Sequence, residues 1–330
     1  MSTRLLLMTG GGLVALLASV AVAVTIGPAD ISTGDVWASV AAHLGFGDST
    51  LAPLRDGIVW NLRMPRTLLA AVCGAVMQSL LRNPLADPFV LGVSSGAATR
   101  AVAVVVLGVG GGVVSVSAGA FLGALLSFVL VLLLSHILGD SVDRVVLSGV
   151  AAMQMFSALT SFIVLTSADA ETTRGVLFWM LGSLTGADRD QVLLCTVALA
   201  VVLLVCLGHA RTLDAFAFGE ETAASLGVRV ARTRLILLCV TALLTAALVS
   251  CAGAIGFVGL VLPHATRALT GSGHARLLPV TALTGAVFMV WVDTVARTVL
   301  DPQEVPVGVV TSLIGVPAFV AVLYRGRRRV

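Results

Sequence analysis

The chain has 330 residues, of which 58% are hydrophobic and only 11% charged, where a soluble domain carries about 25% charged residues. With a mean hydropathy of +1.06, too few charges remain to solvate a soluble surface of this size. A cytosolic enzyme, a secreted domain and a disordered chain are excluded, leaving a polytopic membrane protein with room for about ten spans. The net charge of +3 is too small and too dispersed for nucleic-acid binding. The absence of lysine reads as genomic base composition.

Leu5–Ile26 is an unbroken apolar run, longer than a signal-peptide core of about 7–15 residues and with no small-residue cleavage site behind it. It reads as a first span with a cytoplasmic N-terminus. Residues 27–62 are polar and mixed, an external segment carrying short surface helices. Thr67–Leu81 is a short second span of about 22 Å against a hydrocarbon core of about 30 Å, broken by Pro84 and Pro88. Val90–Leu107 follows, interrupted by Arg100, then a glycine turn at Gly108–Gly112 and a fourth span, Val113–Leu138. A polar loop, Gly139–Arg144, leads to Val145–Leu165. Residues 166–190 form an amphipathic external stretch with Phe178, Trp179 and Met180. Val192–Leu207 is the sixth span, and His209–Arg234 is the longest polar segment of the second half. Leu235–Ser250, Ile255–Ala268, Leu278–Val299 and Val305–Leu323 complete ten spans in one transmembrane domain, residues 1–330.

Arginine placement supports this topology. The loops assigned to the cytoplasm hold Arg4, Arg82, Arg144, Arg211, Arg229, Arg232, Arg234, Arg267, Arg276, Arg325, Arg327, Arg328 and Arg329. The external ones hold Arg55, Arg63, Arg66, Arg174, Arg189 and Arg297. Cytoplasmic loops carry the arginine excess, so both termini lie inside. Cys73, Cys195, Cys206, Cys239 and Cys251 show no C-x-x-C pair and read as small apolar side chains. His43, His136, His209, His264 and His274 have no ligand spacing, and no metal site is expected; His264, after Pro263, reads as a helix C-terminal residue. Gly119–Gly123 and Gly256–Gly259 permit close helix packing. There is no G-x-x-x-x-G-K phosphate loop.

Several segments together carry a resemblance: Arg63–Leu68, Arg82–Pro88 (RNPLADP), Leu91–Gly96, Val176–Ser183, Gly219–Gly227, Gly253–His264, Asp293–Arg297 and Glu304–Val310. In this order they resemble the FecCD family, the membrane permeases of type II ABC importers for ferric siderophores, haem and cobalamin. The resemblance implies an all-α fold of about ten transmembrane helices in the bacterial cytoplasmic membrane. It also implies a second permease copy or paralogue, a separate ATPase subunit that binds ATP and Mg, and an external substrate-binding protein or lipoprotein. The permease itself does no covalent chemistry, and among cargoes ferric siderophore ranks first, haem second and cobalamin third.

The resemblance also implies residue roles. Gly219, Glu220, Glu221, Ala224, Ser225, Leu226 and Gly227 match the helix that couples the permease to its ATPase. Independently, two acids in a first turn and a glycine at the C-terminus describe a short capped helix. Arg63, Arg66 and Arg297 match arginines that face carboxylates of the binding protein; the alternative is anchoring at lipid headgroups. Arg297 also stands one helical turn from Asp293. Val142 and Asp143 fall at the cytoplasmic gate, or form a plain polar turn. Asn83, Pro84, Ser94, Ser95, Gly96, Gly256, Gly259 and Pro263 belong to motif segments along the pathway. The chain departs from the pattern in two places: about seven residues are missing between Arg66 and Asn83, and Arg100 stands where small residues are usual. The other class of function is an ion-coupled secondary transporter, which would place paired ionisable groups at the midplane.

Overall fold

The computed structural model describes residues 3–47, 51–79, 92–139, 142–256, 258, 266–267, 270–271, 273–301 and 303–327. Among them the chain is helical, and the only extended pairing is an isolated bridge between Leu300 and Gln303. The helices are α1 (Thr3–Thr25), α2 (Thr33–His43), α3 (Pro53–Gly57), α4 (Met64–Ser79), α5 (Val93–Leu107), α6 (Val116–Leu138), α7 (Val142–Ser167) and α8 (Ala170–Met180). They continue with α9 (Arg189–Gly208), α10 (Ala210–Phe216), α11 (Glu220–Ser225), α12 (Val230–Ala252), α13 (His274–Ala296) and α14 (Val307–Arg327). Among the described residues, α1, α6, α7, α9, α12 and α13 contain stretches long and apolar enough to cross a membrane; α5 and the apolar part of α14 are shorter. Most of the predicted span Ile255–Ala268 lies outside the described residues, as do Asn83, Pro84, Gly259, Pro263 and His264.

Capping sets several boundaries. The side chains of Ser115, Asp169 and Asp188 accept backbone N–H bonds from Ala118, Thr172 and Gln191 and so start α6, α8 and α9. Positive φ at Gly108, Gly110, Gly111 and Gly112 makes the predicted glycine turn. The loop expected at Gly139–Arg144 is shorter than the sequence reading: α7 begins at Val142, so Val142 and Asp143 form its first turn.

The short second span also has a physical resolution. α4 does not begin at Thr67; it continues without a break from α3 through one π-helical turn, Ile58–Arg63. Pro65 lacks an N–H and its ring clashes with the carbonyl four residues back, so the turn before it widens. The Met64 N–H reaches back to the Val59 carbonyl. α4 is then buried among other helices, with Leu69, Ala70 and Cys73 in the main core. Its Gly74 lies against the backbone of Gly285 in α13, so closely that a Cβ would overlap the Gly285 carbonyl. A helix enclosed by protein need not match the bilayer along its own length.

α5 and α6 pack through small residues. Gly119 receives Val104, and Gly123 receives Gly96 and the Arg100 stem, whose Cβ lies 2.5 Å from where a Gly123 Cβ would stand. This is close helix packing of the G-x-x-x-G kind, and it makes room for the half-buried Arg100 at the α5–α6 seam. The segment between α1 and α4 has a small core of its own, built from Val24, Ile31, Val36, Val40 and Val59. Trp60 there stacks on His43, with ring centroids 4.4 Å apart, and Arg189 lies over its face at 4.9 Å. All five cysteines are free; Cys73, Cys195 and Cys206 are buried, whereas Cys239 is exposed.

Candidate functional site

Two groups of side chains stand out, at opposite ends of α13. At the Asp293 end, an ionic cluster joins four segments. Asp293 is 1% exposed, and burying a carboxylate there requires partners. Its Oδ1 accepts Arg66 Nε at 2.9 Å, and Arg66 Nη1 donates to Glu304 Oε1 at 2.8 Å. Glu304 Oε2 in turn accepts the Thr185 hydroxyl at 2.6 Å. Arg297 Nε faces Asp293 Oδ2 at 3.9 Å, too far for a hydrogen bond. The i,i+4 pairing legible in the sequence is therefore the looser one; the direct hydrogen bond to Asp293 comes from Arg66, 227 positions away in the chain.

Arg63 and Arg297 bind backbone. Arg63 donates to the Thr25 carbonyl at 3.2 Å and the Ala29 carbonyl at 2.6 Å, and Arg297 donates to the Ala23 carbonyl at 2.6 Å. Both satisfy carbonyls at or just after the last turn of α1, where the helix dipole is negative. Arg63 and Arg297 are buried and Arg66 nearly so; none projects from the surface as a free rim arginine. Together with Glu304 and Thr185 they line a cavity of about 180 Å³. Burial alone would raise the Glu304 pKa. The hydrogen bonds from Arg66 and Thr185 and the nearby arginine charges outweigh it, so the carboxyl is held below the ordinary glutamate range.

Two of the quoted segments meet beside this cluster. The Val307 N–H donates to the Gly182 carbonyl at 2.9 Å and the Gly308 N–H to the Leu181 carbonyl at 3.1 Å. A Cβ at Gly308 would overlap the Leu181 carbonyl, a physical reason for glycine there.

At the His274 end of α13, the segment 209–229 forms α10 and α11. Gly219, at φ +102°, turns the chain into α11. The far end closes with two bonds, Val228 N–H to the Ala223 carbonyl at 3.1 Å and Gly227 N–H to the Ala224 carbonyl at 2.9 Å. With Gly227 at φ +83° this is a Schellman motif, so the glycine singled out in the sequence is the C-terminal cap residue. Ala223 is the buried anchor, while Glu221, Ala224, Ser225, Leu226 and Gly227 are exposed. Leu226 is 68% and Phe218 77% exposed.

The remaining predicted residues sit in packing. Ser94 is buried, Ser95 Oγ donates to the Gly92 carbonyl at 3.1 Å, and Gly96 meets Ser127 of α6. Gly256 is half-buried just beyond α12, and Asp143 is exposed on α7. One interaction went unseen in the sequence: Asp214 of α10 hydrogen-bonds His274 at the start of α13. The two are 60 positions apart, and nothing local pairs them.

The family model "FecCD transport family" matches residues 15–325. The cobalamin import system permease protein BtuC of Halobacterium salinarum is 42% identical over 305 residues, covering 89% of this chain and 80% of that protein. The hemin transport system permease protein HmuU of Yersinia pestis is 38% identical, covering 82% and 84%. The Fe(3+) dicitrate transport system permease protein FecD of Escherichia coli is 36% identical, covering 82% and 86%. A solved structure described as an inward-facing conformation of a metal-chelate type ABC transporter superposes with a TM-score of 0.81 at 28% identity, covering 96% of this chain and 98% of that one. The chain is thus a membrane-spanning ABC transporter permease and belongs to the FecCD transport family.

Proposed function

We propose that this chain is the permease subunit of an ATP-driven importer for a bulky metal chelate, in the class of ferric siderophore, haem or cobalamin. It works in the cytoplasmic membrane, beside a second permease, a separate ATPase that holds the nucleotide and Mg, and an external binding protein. Relatives named for cobalamin, haemin and ferric dicitrate match this chain at similar levels, 42%, 38% and 36% identity, so the cargo class is broad. The ten crossings expected from the sequence are assigned to α1, α4–α7, α9, α12–α14 and the apolar run 255–268; among the described residues, six of these helices are long and apolar enough to span a membrane. An even number puts both termini on the cytoplasmic side with the arginine excess.

The observation that carries the reading is α11. A six-residue helix held by one buried alanine, closed by a Schellman motif and flanked by exposed Phe218 and Leu226 is rigid, and it offers apolar surface that a partner would bury. This suits residues 219–227 to fitting into the ATPase. Val142 and Asp143, on the same side in this topology, are assigned to the cytoplasmic gate. At the opposite face, the cavity bounded by Arg63, Arg66, Arg297 and Glu304 is assigned to docking. Its three arginines, against Asp293 and Glu304, leave one excess positive charge for a carboxylate of the binding protein.

The test is the Glu221→Ala/Leu226→Ala variant of the complete transporter. Both residues are exposed, so the fold should survive with a change within about 0.5 kcal/mol. Cargo moved per ATP hydrolysed should fall, and an unchanged ratio would refute the coupling assignment.

A further inference from the structure

Asp214 lies in α10, a few residues ahead of α11, and α10 packs against both α11 and α13. Its Oδ1 accepts the backbone N–H of His274 at 2.9 Å and also contacts the His274 ring Nδ1. His274 is the first residue of α13 and is 3% exposed. The N-cap residue of α13 is Gly273, which has no side chain to offer. A carboxylate from another element therefore does the work of a cap, binding a first-turn N–H at the positive end of the helix dipole.

α13 then runs about 28 Å to Asp293, where it joins the Arg66–Glu304–Thr185 cluster. Behind the Asp214 contact stands the coupling segment; at the other end of the same helix stands the ionic cluster. We propose that Asp214 is a positioning residue for transport: it ties the coupling segment to the first turn of α13, so that displacement of α11 by the ATPase moves α13 and, through Asp293, the cluster that shapes the opposite face. This inference rests on the coupling role proposed for residues 219–227. Packing of α10 on α13 and of α11 on α12 leaves the segment free to slide along those helices, whereas a hydrogen bond fixes its register. A bond from α10 to the α13 terminus, half-shielded from water at Asp214 and buried at His274, gives the movement a second, direct route.

The experiment uses the complete transporter with its ATPase and binding protein, reconstituted in proteoliposomes. Uptake of cyanocobalamin, haemin and ferric dicitrate is measured in parallel, with ATP hydrolysis in the same vesicles. Variants are Asp214→Ala, which removes the cap, Asp214→Asn, which keeps a capping oxygen but no charge, and Glu221→Ala/Leu226→Ala as reference. Asp214→Ala should lower cargo moved per ATP about tenfold, within the usual range of coupling between distant sites, while hydrolysis continues. Asp214→Asn should recover much of the ratio. If Asp214→Ala lowers uptake and hydrolysis together, in proportion to the folded transporter recovered, the residue is merely structural and the proposal fails. If the reference uncouples but Asp214→Ala keeps the wild-type ratio, this inference alone fails. If the reference itself keeps the wild-type ratio, the coupling assignment fails and takes this inference with it.

Discussion

Asp293 is the more buried of the two carboxylates in the ionic cluster, and Asp293→Ala exposes its role. Two guanidinium groups face it, Arg66 at 2.9 Å and Arg297 at 3.9 Å. At an effective dielectric of about 20 these distances correspond to gross attractions of about 6 and about 4 kcal/mol, largely offset by the cost of removing the ions from water. Deleting the carboxylate leaves that cost in place without the attraction. Arg297 remains buried, and Arg66 keeps Glu304 as its remaining carboxylate partner. The expected loss is therefore that of a broken buried pair, about 3–5 kcal/mol. Unfolding in mixed detergent micelles, followed by tryptophan fluorescence, measures it. Asp293→Ala/Arg297→Met, which also removes one stranded charge, should cost less than the sum of the two single changes. A loss below about 1 kcal/mol for Asp293→Ala, the value of an exposed pair, would refute the picture of a buried structural cluster.

Two further predictions concern packing and pH. Gly74→Ala places a methyl group 2.6 Å from the Gly285 carbonyl carbon and 2.8 Å from Met289 Cβ, positions fixed by backbone. It should cost at least about 1–3 kcal/mol as α4 and α13 are forced apart, and wild-type thermal stability in detergent would contradict the crossing. Glu304 has a folded-state pKa below that of the unfolded chain. Its contribution is complete above the unfolded value of about 4.3 and is lost as pH falls through the depressed folded value. Stability measured from pH 6 downward should therefore decline less steeply in Glu304→Gln than in wild type, and identical slopes would show that Glu304 is not held by Arg66 and Thr185.

What could be read from the sequence was whatever is local in the chain. The apolar runs located α1, α6, α9 and α12 to within a few residues, because burial in lipid demands continuous apolar helices. Gly219 and Gly227 marked the ends of α11, because a reversal of backbone direction there requires positive φ. The start of α4 is not legible, because Asn61, Arg63, Pro65 and Arg66 interrupt the apolar residues ahead of Thr67, and only a widened turn before Pro65 lets the helix run on through them. The arginines stand out in the sequence, and the spacing of Arg297 from Asp293 gives their looser pairing, but the hydrogen-bond partners are not legible. Arg66 bonds Asp293, and Arg63 and Arg297 bind carbonyls after Val22, all contacts set by helix packing and not by spacing. Asp214 and His274 were invisible for the same reason: a cap supplied from 60 positions away leaves no pattern in either segment.

Under the proposed function this permease moves its cargo inward at the expense of ATP. The direct measurement is uptake into proteoliposomes holding the permease, its ATPase and its binding protein, with and without internal or external ATP and with ionophores that collapse proton and sodium gradients. Accumulation that requires ATP on the side of residues 219–227 and survives the ionophores is the expected result. Accumulation that proceeds without ATP and disappears with the gradients would contradict the account and return the chain to the class of ion-coupled transporters.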